Sequence, residues 1–190
     1  MKLLKLFSYS FLLFAAFSFS QCKKKSTNPI DELPPETQTG ANTFGCLIDG
    51  KAFKPAGNGF SGPIKSAIYQ YLIPGTPAGY TFAVDASDSR NTEDITSVGF
   101  GFDSVRMSVG IFPLQLRKNG QGGGGYREIN NTYPSGNLFD TNDQNTGELI
   151  IKHFDTLNQI VSGTFWFDAL NSSGQKVEVR EGRFDMRYTR

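Results

Sequence analysis

From about residue 41 to the C-terminus, apolar side chains recur at every second position and never with the 3.6-residue spacing of an amphipathic helix. A strand turns successive side chains to opposite faces, so this alternation admits half-buried strands and little else. Tyr80, Phe82 and Val84 alternate with Thr81, Ala83 and Asp85, and Val98, Phe100 and Phe102 alternate with Gly99, Gly101 and Asp103. Val105, Met107, Val109 and Ile111 extend the pattern to Pro113, which is expected to end that strand. Leu149 to Phe154 predicts another strand, with His153 on the face of Leu149 and Ile151. Phe165, Phe167 and Ala169 share one face of the next strand, and Thr164, Trp166 and Asp168 the other.

Turn chemistry punctuates the strands. Asp49-Gly50 predicts a tight hairpin between Phe44–Ile48 and Ala52–Lys54, and Ser173-Gly174 predicts another turn. Val177 and Val179 define an inward face that Phe184, Met186 and Tyr188 continue with shifted parity. A one-residue slip flips a face, so a bulge is expected near Glu181-Gly182. The fold class that follows is all-β: a single antiparallel meander of about nine or ten strands, closed as a flattened barrel or folded as a two-sheet sandwich, over residues 41–190. The composition agrees, with 21 Gly and 9 Pro among 190 residues.

The N-terminus is an address. Lys2 and Lys5 precede an apolar run from Leu6 to Phe19 that is too short for a bilayer span of about 20 residues, so residues 1–21 read as a signal peptide. Its removal lowers the basic side chains from 19 to 17 against 18 acidic ones, which leaves no electrostatic case for nucleic acid. Residues 22–40, polar and carrying Pro29, Pro34 and Pro35, read as a flexible tether.

The stretch FSFSQ-Cys22-KKKS resembles a bacterial lipoprotein processing site, in which the cysteine becomes the acylated N-terminus. The Cys-Lys-Lys-Lys start, together with NTFGCLIDGKAFKP (42–55), SGTFWFDA (162–169) and GRFDMRYT (182–189), resembles Bacteroidetes lipoproteins of unknown function. That resemblance implies lipidation at Cys22 and a domain held at the outer membrane of the cell envelope. Lysines rather than acidic residues after Cys22 favour a periplasm-facing anchor. The resemblance implies no catalytic residues.

Several side chains are candidates for chemistry. Trp166, the sole Trp, shares a face with Thr164 and Asp168, which is how a glycan-binding surface is built. Asp140, Asn142, Asp143 and Asn145 crowd one loop with oxygens suited to a hard cation such as calcium, although the EF-hand register is absent. Asp85, Asp88, Glu93 and Asp94 suggest a second acidic loop. Gly120-Gln121-Gly122-Gly123-Gly124-Gly125 formally fits a dinucleotide motif, but no helix follows, and a flexible hairpin loop is expected instead. His153 is the sole imidazole, and no nucleophile elbow accompanies it. Cys46 sits among apolar neighbours as a small core residue. The basic and acidic residues alternating from Lys176 to Arg190 read as a solvated edge strand.

No cofactor is expected. The function expected is non-catalytic binding of a glycan or an envelope protein. The alternative is a lipocalin-like carrier, with the 12 Phe outside the signal peptide lining or filling a cavity.

Overall fold

The computed structural model describes residues 28–57, 63–72, 79–118 and 120–190. Residues 1–21, expected as a signal peptide, and Cys22 lie outside the described residues. The described residues are all-β apart from one 3₁₀ turn over Pro29–Glu32, which Asn28 caps by accepting the Ile30 N–H at 3.2 Å.

Eleven strands follow. β1 (Thr43–Ile48) and β2 (Lys51–Phe53) form the expected hairpin, with Asp49 at φ 47° and Gly50 at φ 77°, the paired positive values of a tight hairpin turn. Then come β3 (Lys65–Tyr71), β4 (Tyr80–Asn91), β5 (Asp94–Asp103), β6 (Gly110–Leu114), β7 (Gly122–Asn130) and β8 (Asn137–Asp140). β9 (Gly147–Asp155), β10 (Ile160–Leu170) and β11 (Lys176–Arg187) complete the set. The sheet runs β2-β1-β11-β10-β9-β6-β7-β5-β4-β3, and β8 bridges β7 and β10.

The sheet closes on itself. The Tyr69 N–H donates to the Thr189 carbonyl at 2.8 Å and the Thr189 N–H to the Ala67 carbonyl at 2.9 Å, joining β3 to the chain just past β11. This closure and the β6–β7 contact are parallel, whereas the other strand pairs are antiparallel. The fold is therefore a small mixed barrel rather than a simple meander, because β6 is inserted between β9 and β7 and β11 returns to pair with β1.

Aromatic rings fill the barrel. Phe82, Phe102 and Phe167 are fully buried, together with Leu114, Leu149, Ile151 and Val161. Phe100 stands 5.0 Å from Phe165 and 5.4 Å from Phe184, ring centre to ring centre. Gly122 and Gly124 face inward on β7 because neighbouring rings occupy the space a side chain would need. A Cβ on Gly124 would lie 2.7 Å from the Phe167 ring, and one on Gly122 would lie inside contact of the Phe102 ring.

Four of the departures from expectation concern the strands themselves. Residues 120–125 are not a free hairpin loop, since from Gly122 onward they form the start of β7 in register with β5. Residues 105–109 are not a strand: Ser104 takes φ 58° and the chain crosses the barrel end, burying Met107, whose N–H bonds the Tyr69 hydroxyl at 3.3 Å. Pro113 lies within β6 rather than ending a strand, tolerated where β6 is flanked by β9 alone. β11 is not an edge but lies between β1 and β10.

The segment upstream of β1 is folded onto the domain from Asn28 onward. Leu33 is buried, and Pro34 packs so closely on Gly45 that a Cβ there would lie 2.6 Å from Pro34 Cδ. Asp185, fully buried on β11, holds the next residues. It accepts from Thr37 Oγ1 at 2.7 Å and from the N–H groups of Thr39, Gly40 and Ala41 at 2.9, 2.7 and 3.1 Å.

Candidate functional site

With the interior filled, two concavities on the outer wall gather the candidate side chains. One, about 630 Å³, lies over β4, β5, β7 and β8. Its floor is set by register: Asp85 opposes Gly99, Gly99 opposes Gly125, and Gly125 opposes Asp140, one row across four strands. Two adjacent glycines thus leave a trough between two carboxylates. The Asp85 carboxylate leans over Gly99, where a Cβ would collide with it, and Asp140 Oδ1 would stand 3.2 Å from a Cβ on Gly125.

Gly101 and Gly123 extend the floor beneath Arg117, whose guanidinium would lie 2.7 Å from a Cβ on Gly101. Arg117 is itself paired with Asp103 at 2.9 Å. Burial pushes the Asp85 carboxyl above its ordinary range, opposed by the Arg117 charge, and burial likewise pushes Asp140 up. Neither carboxylate has a hydrogen bond or ion pair among the described residues. The sequence signal was present in two separate glycine alternations, 99/101 and 123/125, whose pairing only the register reveals.

A second groove, about 370 Å³, surrounds Trp166 on β9, β10 and β11. The expected bulge forms opposite this residue: Phe165 pairs with Gly182 and Phe167 with Val179, so Arg180 and Glu181 face Trp166 alone. Glu181 rather than Gly182 carries the left-handed backbone, at φ 53°. Gly182 serves a different purpose, because a Cβ there would press on the Phe165 ring. The bulge aims Arg180 over the indole, 5.4 Å from its centre.

Thr164 and Trp166 line this groove together, as their shared face predicts, but Asp168 does not join them. Its carboxylate binds Arg180 Nη2 at 2.5 Å and Lys176 Nζ at 2.9 Å. Although desolvation raises Asp168, these two hydrogen bonds outweigh it and hold the carboxyl below its usual range. Glu148, directly opposite Trp166, lines the groove instead, together with Glu36 and Glu181. Beside it the outer face continues through Ile150 to Ile111 and from Glu148 to Pro113. Trp166 is 40% exposed and Ile111 66%.

The remaining candidates separate. Asp140 lines the trough, whereas Asn142 turns its side-chain oxygen to the N–H groups of Gln144 and Asn145 at 2.9 and 2.8 Å. No group of three or more His, Cys, Asp or Glu placed to hold a metal ion occurs among the described residues. Asp85 and Asp88 stand within β4 rather than in a loop with Glu93 and Asp94. His153 does not share the inward face of Leu149 and Ile151. Gly163 pairs with Ile151 and Ser162 with His153, so Lys152 is an extra residue that flips parity and turns Phe154 inward instead. His153 is half-buried, and its side chain has no hydrogen bond among the described residues. Cys46 is buried and free, and burial pushes its thiol far up.

Residues 88–186, which span most of β4 through β11, match a family model described as a domain of unknown function, DUF6252. No curated protein and no solved structure matches the chain.

Proposed function

Taking as premise that the chain belongs to the DUF6252 family, we propose that it is a non-catalytic binding domain of the cell envelope, tethered by lipid at Cys22 and presenting its Trp166 face to an envelope protein. The observation that carries this reading is the composition of that face. An exposed Trp stacked by Arg stands beside Ile111, Pro113 and Ile150, and Glu148, Lys152 and Arg183 rim the patch. Trp and Arg dominate the energetic centres of protein interfaces, and a charged rim around an apolar centre is their ordinary anatomy.

A glycan stacking on Trp166 requires an open ring face, and Arg180 already lies over one of them. Ring-filled packing of the interior supports recognition on the outer wall over carriage of an apolar molecule inside. The half-buried, unbonded His153 and the buried Cys46 supply no activated nucleophile or base. Lipid at Cys22 with three following lysines supports a periplasm-facing place at the outer membrane.

The sole Trp makes the test direct. Full chain extracted from its membrane is cross-linked and compared with Trp166→Ala and Ile111→Glu. Both substitutions are expected to abolish a discrete protein adduct while lowering stability by less than about 1 kcal/mol, as exposed positions do. Native tryptophan fluorescence is expected to shift to the blue when the adduct's partner is added back. An adduct that survives both substitutions defeats the proposal.

A further inference from the structure

The trough on β4, β5, β7 and β8 is separate from the Trp166 face, and the geometry points to a second binding site there, for a neutral oligosaccharide. At about 630 Å³ it falls within the roughly 300–1,000 Å³ of ordinary ligand sites. Three strand spacings, about 14 Å, separate the backbones of Asp85 and Asp140. Both side chains lean inward over Gly99 and Gly125, so the open gap between the carboxylates is narrower than that.

Ionised carboxylates only accept hydrogen bonds, and these two receive none among the described residues. Both residues are solvent-exposed on the trough, so these acceptors are open to a ligand arriving from solution. A ligand for this site must therefore bring donors. Two chemistries do so: cations and hydroxyl groups.

The flanking charges choose between them. Arg117 extends over Gly101 and Gly123 at one end, and Arg127 stands in the next row at the other, opposite Ser97 and Leu138. Guanidiniums at both ends oppose a cation and can donate to ligand oxygens. A sugar hydroxyl both donates and accepts, so a polyol ring satisfies carboxylate and guanidinium together. The exposed Leu116 and Leu138 give apolar lips for the C–H faces of such a ring. Asp85 and Arg117 cover Gly99, Gly101 and Gly123, and the floor is least crowded at Gly125, where a flat ring can approach the backbone between the two carboxylates.

The test is a titration of ¹⁵N-labelled full chain with cellotriose, maltotriose, mannotriose and chitotriose, followed through the amides of Gly99, Gly101, Gly123 and Gly125. At least one trisaccharide is expected to shift all four in a saturable manner. Asp85→Asn and Asp140→Asn, each converting an acceptor-only carboxylate into an amide, are expected to weaken that binding at least tenfold with the remaining spectrum unchanged. Gly125→Ala, whose Cβ meets Asp140 Oδ1 at 3.2 Å, fills the floor and is expected to weaken it with both carboxylates intact. Trp166→Ala is expected to leave it unchanged, which keeps this site's failure distinct from that of the Trp166 face. Absence of shifts with all four sugars, or shifts that persist undiminished in the Asp85 and Asp140 variants, overturns the site. A preference for an oligogalacturonate or for spermidine over every neutral sugar also overturns it.

Discussion

A carboxylate without access to water must collect its hydrogen bonds from the protein, and Asp185 collects them from one short segment. Thr37, Thr39, Gly40 and Ala41 all donate to it, through three backbone N–H groups and two hydroxyls. Desolvation raises the Asp185 carboxyl, but these bonds prevail and hold it below the usual carboxylate range. The stabilisation is therefore fully present above the unfolded-state value of about 3.9 and is lost as pH falls through the lower folded value. Asp185→Asn places an N–H₂ among donors and removes the charge, and it is expected to cost about 3 kcal/mol at pH 7. Urea unfolding checks the magnitude. The difference from the unsubstituted chain is expected to narrow at acid pH, and an equal difference at both pH values would contradict the assignment.

Nothing local announces Asp185. On the sequence it is one acidic residue among alternating charges, and the donors that explain it lie about 145 positions away. Trp166 and Thr164 were legible because they share one strand face, and a strand's period reports faces directly. Asp168 shares that face too, yet its fate was set by Lys176 and Arg180 across the hairpin, which the period does not report.

At the scale of elements, β11 shows how parity becomes structure. Val177 and Val179 point inward before the bulge and Phe184 and Met186 after it, all buried. Deleting Glu181 removes the extra residue and puts one of these sets on the outer face. Two or three exposed apolar side chains at about 1.5–3 kcal/mol each rival the roughly 5–15 kcal/mol stability of a typical domain, so the deletion is expected to abolish folding. Glu181→Gly keeps the residue count and suits φ 53°, and it is expected to stabilise by up to about 1 kcal/mol. Circular dichroism and thermal melts of the pair separate bulge from side chain, and a folded deletion variant would refute the parity argument.

The phase shift at Glu181 could be read from the sequence because apolar residues stand on both sides of it. The shift at Lys152 could not, since too few residues follow it in β9 to display a new phase. Glycine hides strands for a related reason: Gly122–Gly125 has no side chains to alternate, and the partner rings of Phe102 and Phe167 explain only Gly122 and Gly124.

On the scale of the whole molecule, closure through Ile68 and Thr189 joins the end of the chain to β3 and leaves β2 as a three-residue outer strand beyond β1. Such a short edge offers little template for pairing with another copy. Cys46 lies inside this closed arrangement, fully buried, with its thiol pushed far up by burial. In a Cys22→Ser background it is expected to resist a thiol reagent until the domain opens globally, with labelling tracking urea unfolding. Rapid labelling in native buffer would mean that β1 detaches locally.

The attachment of residues 37–41 to Asp185 has a mechanical consequence. β11 lies inside the sheet, between β1 and β10, so a pull on the upstream chain enters the domain at its middle rather than at its rim. Tension at an outer strand can peel hydrogen bonds one at a time. Tension delivered to a central strand must work against several at once, and Asp185 is the mooring through which it passes.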